Sequence, residues 1–250
     1  MKIYSIVVTY NGAKWVDKCL VSLLNSNLQT HIIVIDNAST DDSTNYIEQN
    51  YPQVELIKSK DNLGFGKGNN IGLKRALEDN ADYVFLLNQD AWVEPNTIEN
   101  LVDVHTKNQE YGILSPFHLD YNKTVIEFYF STIINAFDCP NLINDIYFGK
   151  QKDIYEIKFV HAACWLISKE CLIKVGGFDP IFQLYSEDND YVNRVKYYKY
   201  KIGICPKSFV MHKGTHKGLT ELNKNFQLQL NFLILHLKNI NHKLARSEER

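Results

Sequence analysis

Cysteine is sparse in this sequence: five residues, Cys19, Cys139, Cys164, Cys171 and Cys205, are scattered along 250 positions. They are odd in number and lack the paired spacing of a zinc site or a disulfide framework, so ordinary burial in a reducing compartment is expected. Charge of one sign is also lacking. Twenty-seven basic against twenty-nine acidic residues leave a formal net charge of -2, with none of the basic excess that nucleic-acid partners call for. No run reaches the roughly 18 to 20 apolar residues needed to span a bilayer, and no apolar leader precedes the first strand pattern. The expected location is cytoplasmic, or peripheral at the inner face of the membrane. There is no internal repeat and no low-complexity tract.

What is present is a series of short apolar runs that stop abruptly at polar residues. Ile6-Val7-Val8-Thr9-Tyr10-Asn11, Ile32-Ile33-Val34-Ile35-Asp36-Asn37 and Tyr83-Val84-Phe85-Leu86-Leu87-Asn88-Gln89-Asp90 share this form. Runs that are apolar on both faces are the mark of buried parallel strands, and α/β sheets bind ligands outside the carboxyl ends of such strands. A helix cap explains any one of the polar endings; three in succession at one edge point to a site. Asp90, a lone carboxylate flanked by amides, is the first candidate.

Between these runs the period changes to that of helices. Val16, Cys19, Leu20, Leu23 and Leu24 form one apolar stripe, and helices are expected at 43–49, 68–78 and 96–108 with a strand at 54–58. At 45% hydrophobic content, 250 residues suit one sizeable α/β domain. Residues 117–157 lose periodicity and are expected to form a hairpin or an acceptor-side insertion. Beyond them a strand at 159–167, a helix at 169–175, a Gly176-Gly177 turn and a helix from Glu187 are expected. A last helix at 222–238 carries Phe226, Leu230, Leu233 and Leu237 on one stripe, accompanied by Lys224, Lys238, Lys243 and Arg246. Core packing, a homodimer contact and a peripheral membrane contact are the three roles open to it.

Three further groups carry chemistry. Gly64-Phe65-Gly66-Lys67-Gly68-Asn69-Asn70 reads as a glycine-rich turn before a helix, where backbone N–H groups and Lys67 would approach an anion or simply make a tight turn. Glu187, Asp188 and Asp190 place three carboxylates within four positions at a helix start. The helix dipole favours acids there by roughly 0.3–1 kcal/mol, yet so many like charges repel, and one beside a hydroxyl would serve as a general base. His212 follows the apolar pair Phe209-Val210 at a strand end and suits a Mn²⁺-like ion together with Asp90. His161 and His216 read as structural.

Together, Val8-Thr9-Tyr10-Asn11, Ile35-Asp36-Asn37-Ala38-Ser39-Thr40-Asp41, Asn62 to Asn70, Leu87-Asn88-Gln89-Asp90, Gly176-Gly177-Phe178-Asp179, and Leu184 to Asp190 with His212 resemble, in order, the large family-two inverting glycosyltransferases of GT-A fold. The set covers about residues 3–216 and is most similar to the rhamnosyltransferase-like branch that builds bacterial surface polysaccharides. The resemblance implies a Rossmann-like, mostly parallel central sheet flanked by helices in a domain over 1–218, with a nucleotide-sugar half at 1–116, an acceptor half at 117–218 and a C-terminal helical extension at 219–250. It implies that Thr9, Tyr10, Asn11, Asn37 and Ser39 line the nucleotide pocket and that Asp36 reads the base. Lys67 and Asn69 would stand near the sugar or diphosphate, and Gln89 and Asp90 would also bind the nucleotide-sugar. Asp90 matches the last position of the family's Asp-X-Asp metal motif, whose first position is here Asn88. Asp188 would be the base, with Glu187 the alternative. The implied cofactor is divalent, Mn²⁺ or Mg²⁺, and the implied partners are a nucleotide-sugar donor and a saccharide or lipid-linked acceptor. Nucleotidyl transfer to sugar phosphates is the rival chemistry, but it wants a basic glycine-rich loop after the first strand, which Thr9-Tyr10-Asn11-Gly12-Ala13 does not provide. A catalytically silent carbohydrate- or partner-binding domain is the rival from another class.

Overall fold

The apolar runs that end in polar residues form the parallel half of one sheet. The structure, a computed structural model, describes residues 1–214 and 226–241. Strands β1 (Ile3–Thr9), β2 (His31–Asp36), β3 (Glu55–Lys58) and β4 (Tyr83–Leu87) lie in the order β3-β2-β1-β4, all parallel. Thr9 is in register with Asp36, so the polar endings of β1 and β2 share one edge. Alternation along β1 supplies both faces of the sheet. Tyr4 and Ile6 join one core, with Ile33, Ile35, Leu73 and Ala76, while Ile3 and Val7 join the other, with Leu20, Leu23 and Leu101. Each such aliphatic side chain contributes about 1.5–3 kcal/mol on burial.

The remaining strands, β5 (Ala91–Val93), β6 (Tyr111–Asp120), β7 (Tyr155–Glu156), β8 (Cys164–Ser168) and β9 (Lys201–His212), extend the sheet as β4-β8-β6-β9-β5, with β7 pairing β9. β8 runs antiparallel to both β4 and β6, and β5 and β7 are antiparallel to β9. The antiparallel return decides what reaches the site. Leu87 is opposite Cys164 and Ala91 is opposite His212, so the residues just before β8 and at the end of β9 meet the carboxyl end of β4.

Helices α1 (Val16–Leu24), α2 (Ser43–Asn50), α3 (Gly64–Glu78), α4 (Thr97–Lys107), α5 (Phe128–Ile133), α6 (Leu142–Tyr147), α7 (Lys169–Val175), α8 (Glu187–Tyr197) and α9 (Phe226–Lys238) complete the described residues. The helix expected from 68 begins at Gly64, so the supposed glycine loop is its first two turns. Its glycines serve packing: a Cβ at Gly72 would fall 2.7 Å from Ile6 Cγ2, and one at Gly68 would fall 2.9 Å from Val8 Cγ1. Larger residues would push α3 off β1.

Three further expectations change. β6 runs past position 116 to Asp120, whose carboxylate accepts the N–H groups of Asn122, Thr124 and Val125 and closes a small turn bridged at Leu119 and Ile126. α5, α6 and β7 follow it within the segment expected to be an insertion. Of the strand expected at 159–167, only Cys164 onward is paired in the sheet; the preceding residues leave it to line a cavity. The stripe of α9 is not core. Phe226 is 76% and Leu237 75% exposed, with Leu230 and Leu233 also in solvent, whereas Leu228 and Asn231 face inward. Lys224, Lys243, Arg246, His216 and the start of that helix as expected from 222 lie outside the described residues. All five cysteines are free and buried.

Candidate active site

The ends of β1, β2 and β4 are tied into one hydrogen-bonded edge. Thr9 Oγ1 donates to Gln89 Oε1 at 2.7 Å, Tyr10 N donates to the same oxygen at 3.0 Å, and Gln89 Nε2 returns a bond to Tyr10 O at 3.2 Å. Asn11, in the left-handed region at φ +48°, accepts from Thr40 N through Oδ1 and donates its own N–H to Ser39 Oγ. Ser39 N donates to Asp36 Oδ2 at 3.0 Å, and Asn37 Nδ2 donates to Gly64 O at 3.0 Å. Two acceptors remain over. Asp36 Oδ1 and Asn37 Oδ1 are buried with no hydrogen-bond partner among the described residues, and Asp36 is only 2% exposed. Buried polar oxygens are ordinarily paired, so these two are acceptors with capacity to spare among the described residues.

Beside this edge opens a cavity of about 410 Å³, with Gln89 on the shared wall. Asp90 Oδ1 lies 3.4 Å from His212 Nε2, and Asn88 Nδ2 lies 3.3 Å from the same nitrogen. Lys213 N donates to Asp90 O at 3.1 Å, which fixes the end of β9 against the turn after β4. Burial pushes the Asp90 carboxyl up, but the hydrogen bond and charge of His212 outweigh it and hold the group below the usual carboxylate range.

The start of α8 also lines the cavity. Tyr185 and Ser186 both take positive φ, +66° and +73°, a costly pair of conformations for residues with side chains. They turn the chain so that Glu187 and Asp188 line the cavity. Their environments differ. Glu187 is 5% exposed, its Oε2 has no partner among the described residues, and burial followed by the charge of Asp188 pushes its pKa up to about 8. Asp188 is half-buried and accepts from Asn189 N and Nδ2 through Oδ1. Asp190 points away: its Oδ2 pairs with Arg194 Nε at 2.8 Å, and Arg194 Nη1 donates to Val175 O.

The structure therefore brings Gln89, Asp90, Glu187, Asp188 and His212 to one cavity and Thr9, Tyr10, Asn11, Asp36, Asn37 and Ser39 to the adjoining edge. Lys67 and Asn69 lie in the first turns of α3 and do not line the cavity; Asn69 is buried and donates Nδ2 to Phe65 O. His161, read from sequence as structural, stands on the cavity wall, where burial lowers its pKa against the opposing charges of Asp188 and Glu127. His118, Glu127 and Tyr129 were not singled out from sequence and also line it. They come from the stretch without periodicity, and the only signal was its richness in aromatics.

This α/β architecture, a mixed sheet whose parallel half carries spare buried acceptors at its carboxyl edge next to a cavity lined by carboxylates, is that of the GT-A fold. The model of the family described as Glycosyl transferase family 2 matches residues 5–176, and the chain belongs to that family. It is 25% identical over 232 residues to the N-acetylglucosaminyl-diphospho-decaprenol L-rhamnosyltransferase of Mycobacterium tuberculosis, covering 84% of this chain and 76% of that protein. To the low-salt glycan biosynthesis hexosyltransferase Agl10 of Haloferax volcanii it is 23% identical over 201 residues, 80% of this chain; it spans 64% of that protein's length. Among solved structures, S. aureus TarS 1-349 in complex with UDP-GlcNAc superposes with a TM-score of 0.67 at 17% identity, covering 98% of this chain and 68% of that one. The shared fold is the GT-A arrangement expected from sequence.

Proposed function

We propose that the chain is an inverting glycosyltransferase that moves a hexosyl residue of the rhamnose type from a nucleotide-sugar to a saccharide or lipid-linked saccharide during surface polysaccharide assembly. One observation carries this reading. Asp90, His212 and Asp188 line one cavity, and Gln89 joins it to an edge with unpaired buried acceptors at Asp36 and Asn37. A nucleoside fits the edge, where a base N–H satisfies Asp36 Oδ1. Its diphosphate and sugar then extend over Gln89 into the cavity.

In the reaction, Asp188 accepts the proton of an acceptor hydroxyl as that oxygen bonds to the anomeric carbon. The bond from the carbon to the diphosphate oxygen breaks on the opposite face, so configuration inverts and the nucleoside diphosphate leaves with the electron pair. Glu187, neutral around pH 7, adds no second negative charge beside the base. It thus stands as a neighbour that tunes Asp188 rather than as the base itself. Asp90 and His212 fit a divalent ion such as Mn²⁺ or Mg²⁺ in donor chemistry. Among the described residues no third histidine, cysteine or carboxylate completes a set, so diphosphate oxygens and water would fill the other positions. Bound there, such an ion would offset charge on the leaving diphosphate.

No helix among the described residues is long and apolar enough to cross a membrane. The exposed stripe of α9 supports peripheral contact with one, because Asn231 Nδ2 holds the helix to the carbonyls of Leu184 and Tyr185 at the cavity rim. A lipid-linked acceptor would enter beside it. The test of the central reaction is the anomeric configuration of the product by NMR: an anomer opposite to that of the donor supports the reading, and retention overturns it.

A further inference from the structure

Glu127 occupies a position that its structural role does not explain. It is the N-cap of α5 and accepts from Phe130 N through Oε2 at 2.7 Å. A serine or asparagine caps as well or better and would leave no second carboxylate oxygen in the interior. Here Glu127 is 4% exposed and Oε1 is buried with no hydrogen-bond partner among the described residues. The oxygen belongs to the cavity wall and faces Gly214, where a Cβ would come within 3.0 Å of it. Gly214 itself takes φ +56°, a conformation that calls for glycine.

The surroundings are rigid. Glu127 N donates to His118 O, the His118 ring stacks on Phe130 at 4.6 Å with an interplanar angle of 2°, and His118 Nε2 lies 2.9 Å from Ser115 Oγ. Tyr129, next along α5, contributes its ring to the same wall and lies edge-on to His161 at 6.2 Å. Glu127, His161 and Asp188 line the same cavity, so one ligand can meet both the cap carboxylate and the base. A carboxylate oxygen that accepts a hydroxyl, beside an aromatic face that covers an apolar ring surface, is a grouping suited to a sugar.

We propose that Glu127, with Tyr129 and His161, forms the saccharide-acceptor subsite, Glu127 Oε1 accepting a hydrogen bond from a hydroxyl other than the one that reacts. The proposal rests on the glycosyltransferase reading and names the residue that orients its acceptor. Losing a hydrogen bond to a charged group weakens binding by about tenfold or more.

The probes are methyl glycosides of hexoses, 6-deoxyhexoses and N-acetylhexosamines, followed by saturation-transfer NMR, with UDP and dTDP titrated separately by calorimetry. At least one glycoside should bind the wild type and bind about tenfold or more weakly to Glu127→Gln, which keeps the capping oxygen, while nucleotide affinity and melting temperature hold. Absence of glycoside binding in the wild type, or binding by Glu127→Gln equal to that of the wild type, overturns the subsite. Glycoside binding that depends on Glu127 without any nucleotide binding would instead overturn the glycosyltransferase reading and leave the subsite standing.

Discussion

His212 Nε2 stands 3.4 Å from Asp90 Oδ1, joining the end of β9 to the turn after β4. The pair brings a carboxylate and an imidazole together on the cavity wall, and the functional reading assigns it the diphosphate end of the donor. Asp90→Ala is expected to abolish the enhancement of nucleoside diphosphate binding by Mn²⁺, as measured by calorimetry with and without the ion. Equal enhancement in wild type and variant would remove Asp90 from any metal role.

Asp188→Asn should lower transfer by about two to four orders of magnitude while donor binding survives, because the amide keeps the shape but cannot take the proton. Initial rates and donor affinity measured on the same preparation separate the two. Near-normal turnover would move the base to Glu187.

Glu187 gives a pH signature. Its carboxyl keeps its proton in the folded chain up to about pH 8, against an ordinary value of 4.5. The folded state then binds more protons than the unfolded one between those limits, so stability from this group is complete below about 4.5 and is lost as pH rises towards 8. The buried histidines act in the opposite sense, since burial lowers His118 and His161. The useful quantity is therefore the difference in melting temperature between wild type and Glu187→Gln. The variant should gain on the wild type steadily from pH 5 to 8, and a constant difference across that range would contradict a protonated Glu187.

Much of this architecture was legible because buried parallel strands and helix stripes write strong periodic patterns. The endings at Asp36 and Asp90 could be placed at one edge from sequence alone, since parallel strands point the same way. The start of α3 was misplaced because glycine is weak evidence for helix; Gly68 and Gly72 are there to let β1 approach, a tertiary demand that leaves no local trace. Glu127 and His161 were passed over for a related reason. Their importance comes from the antiparallel return of β8 and from a cap on a six-residue helix, and neither has a period to read.

The stripe of α9 yields a prediction about surfaces. Leu233 and Leu237 are exposed, so Leu233→Asp with Leu237→Asp should leave the melting temperature nearly unchanged and reduce co-sedimentation with anionic vesicles at low salt. Lys238 is engaged by Asp179 and Asp190 and is not counted among the residues that read lipid charge. A stable dimer by light scattering that the double variant dissociates, with no pelleting of the wild type, would assign the stripe to a second copy instead.

The central claim is that the edge at Asp36 and the cavity at Asp90 and Asp188 together hold a nucleotide-sugar. Its most direct test is the melting temperature of the purified chain with a panel of UDP-, dTDP- and GDP-sugars, each with and without Mn²⁺ or Mg²⁺, repeated on Asp36→Ala. A clear rise with one nucleotide class, strengthened by the cation and lost in the variant, is the result predicted. No rise with any member of the panel under any cation would contradict it.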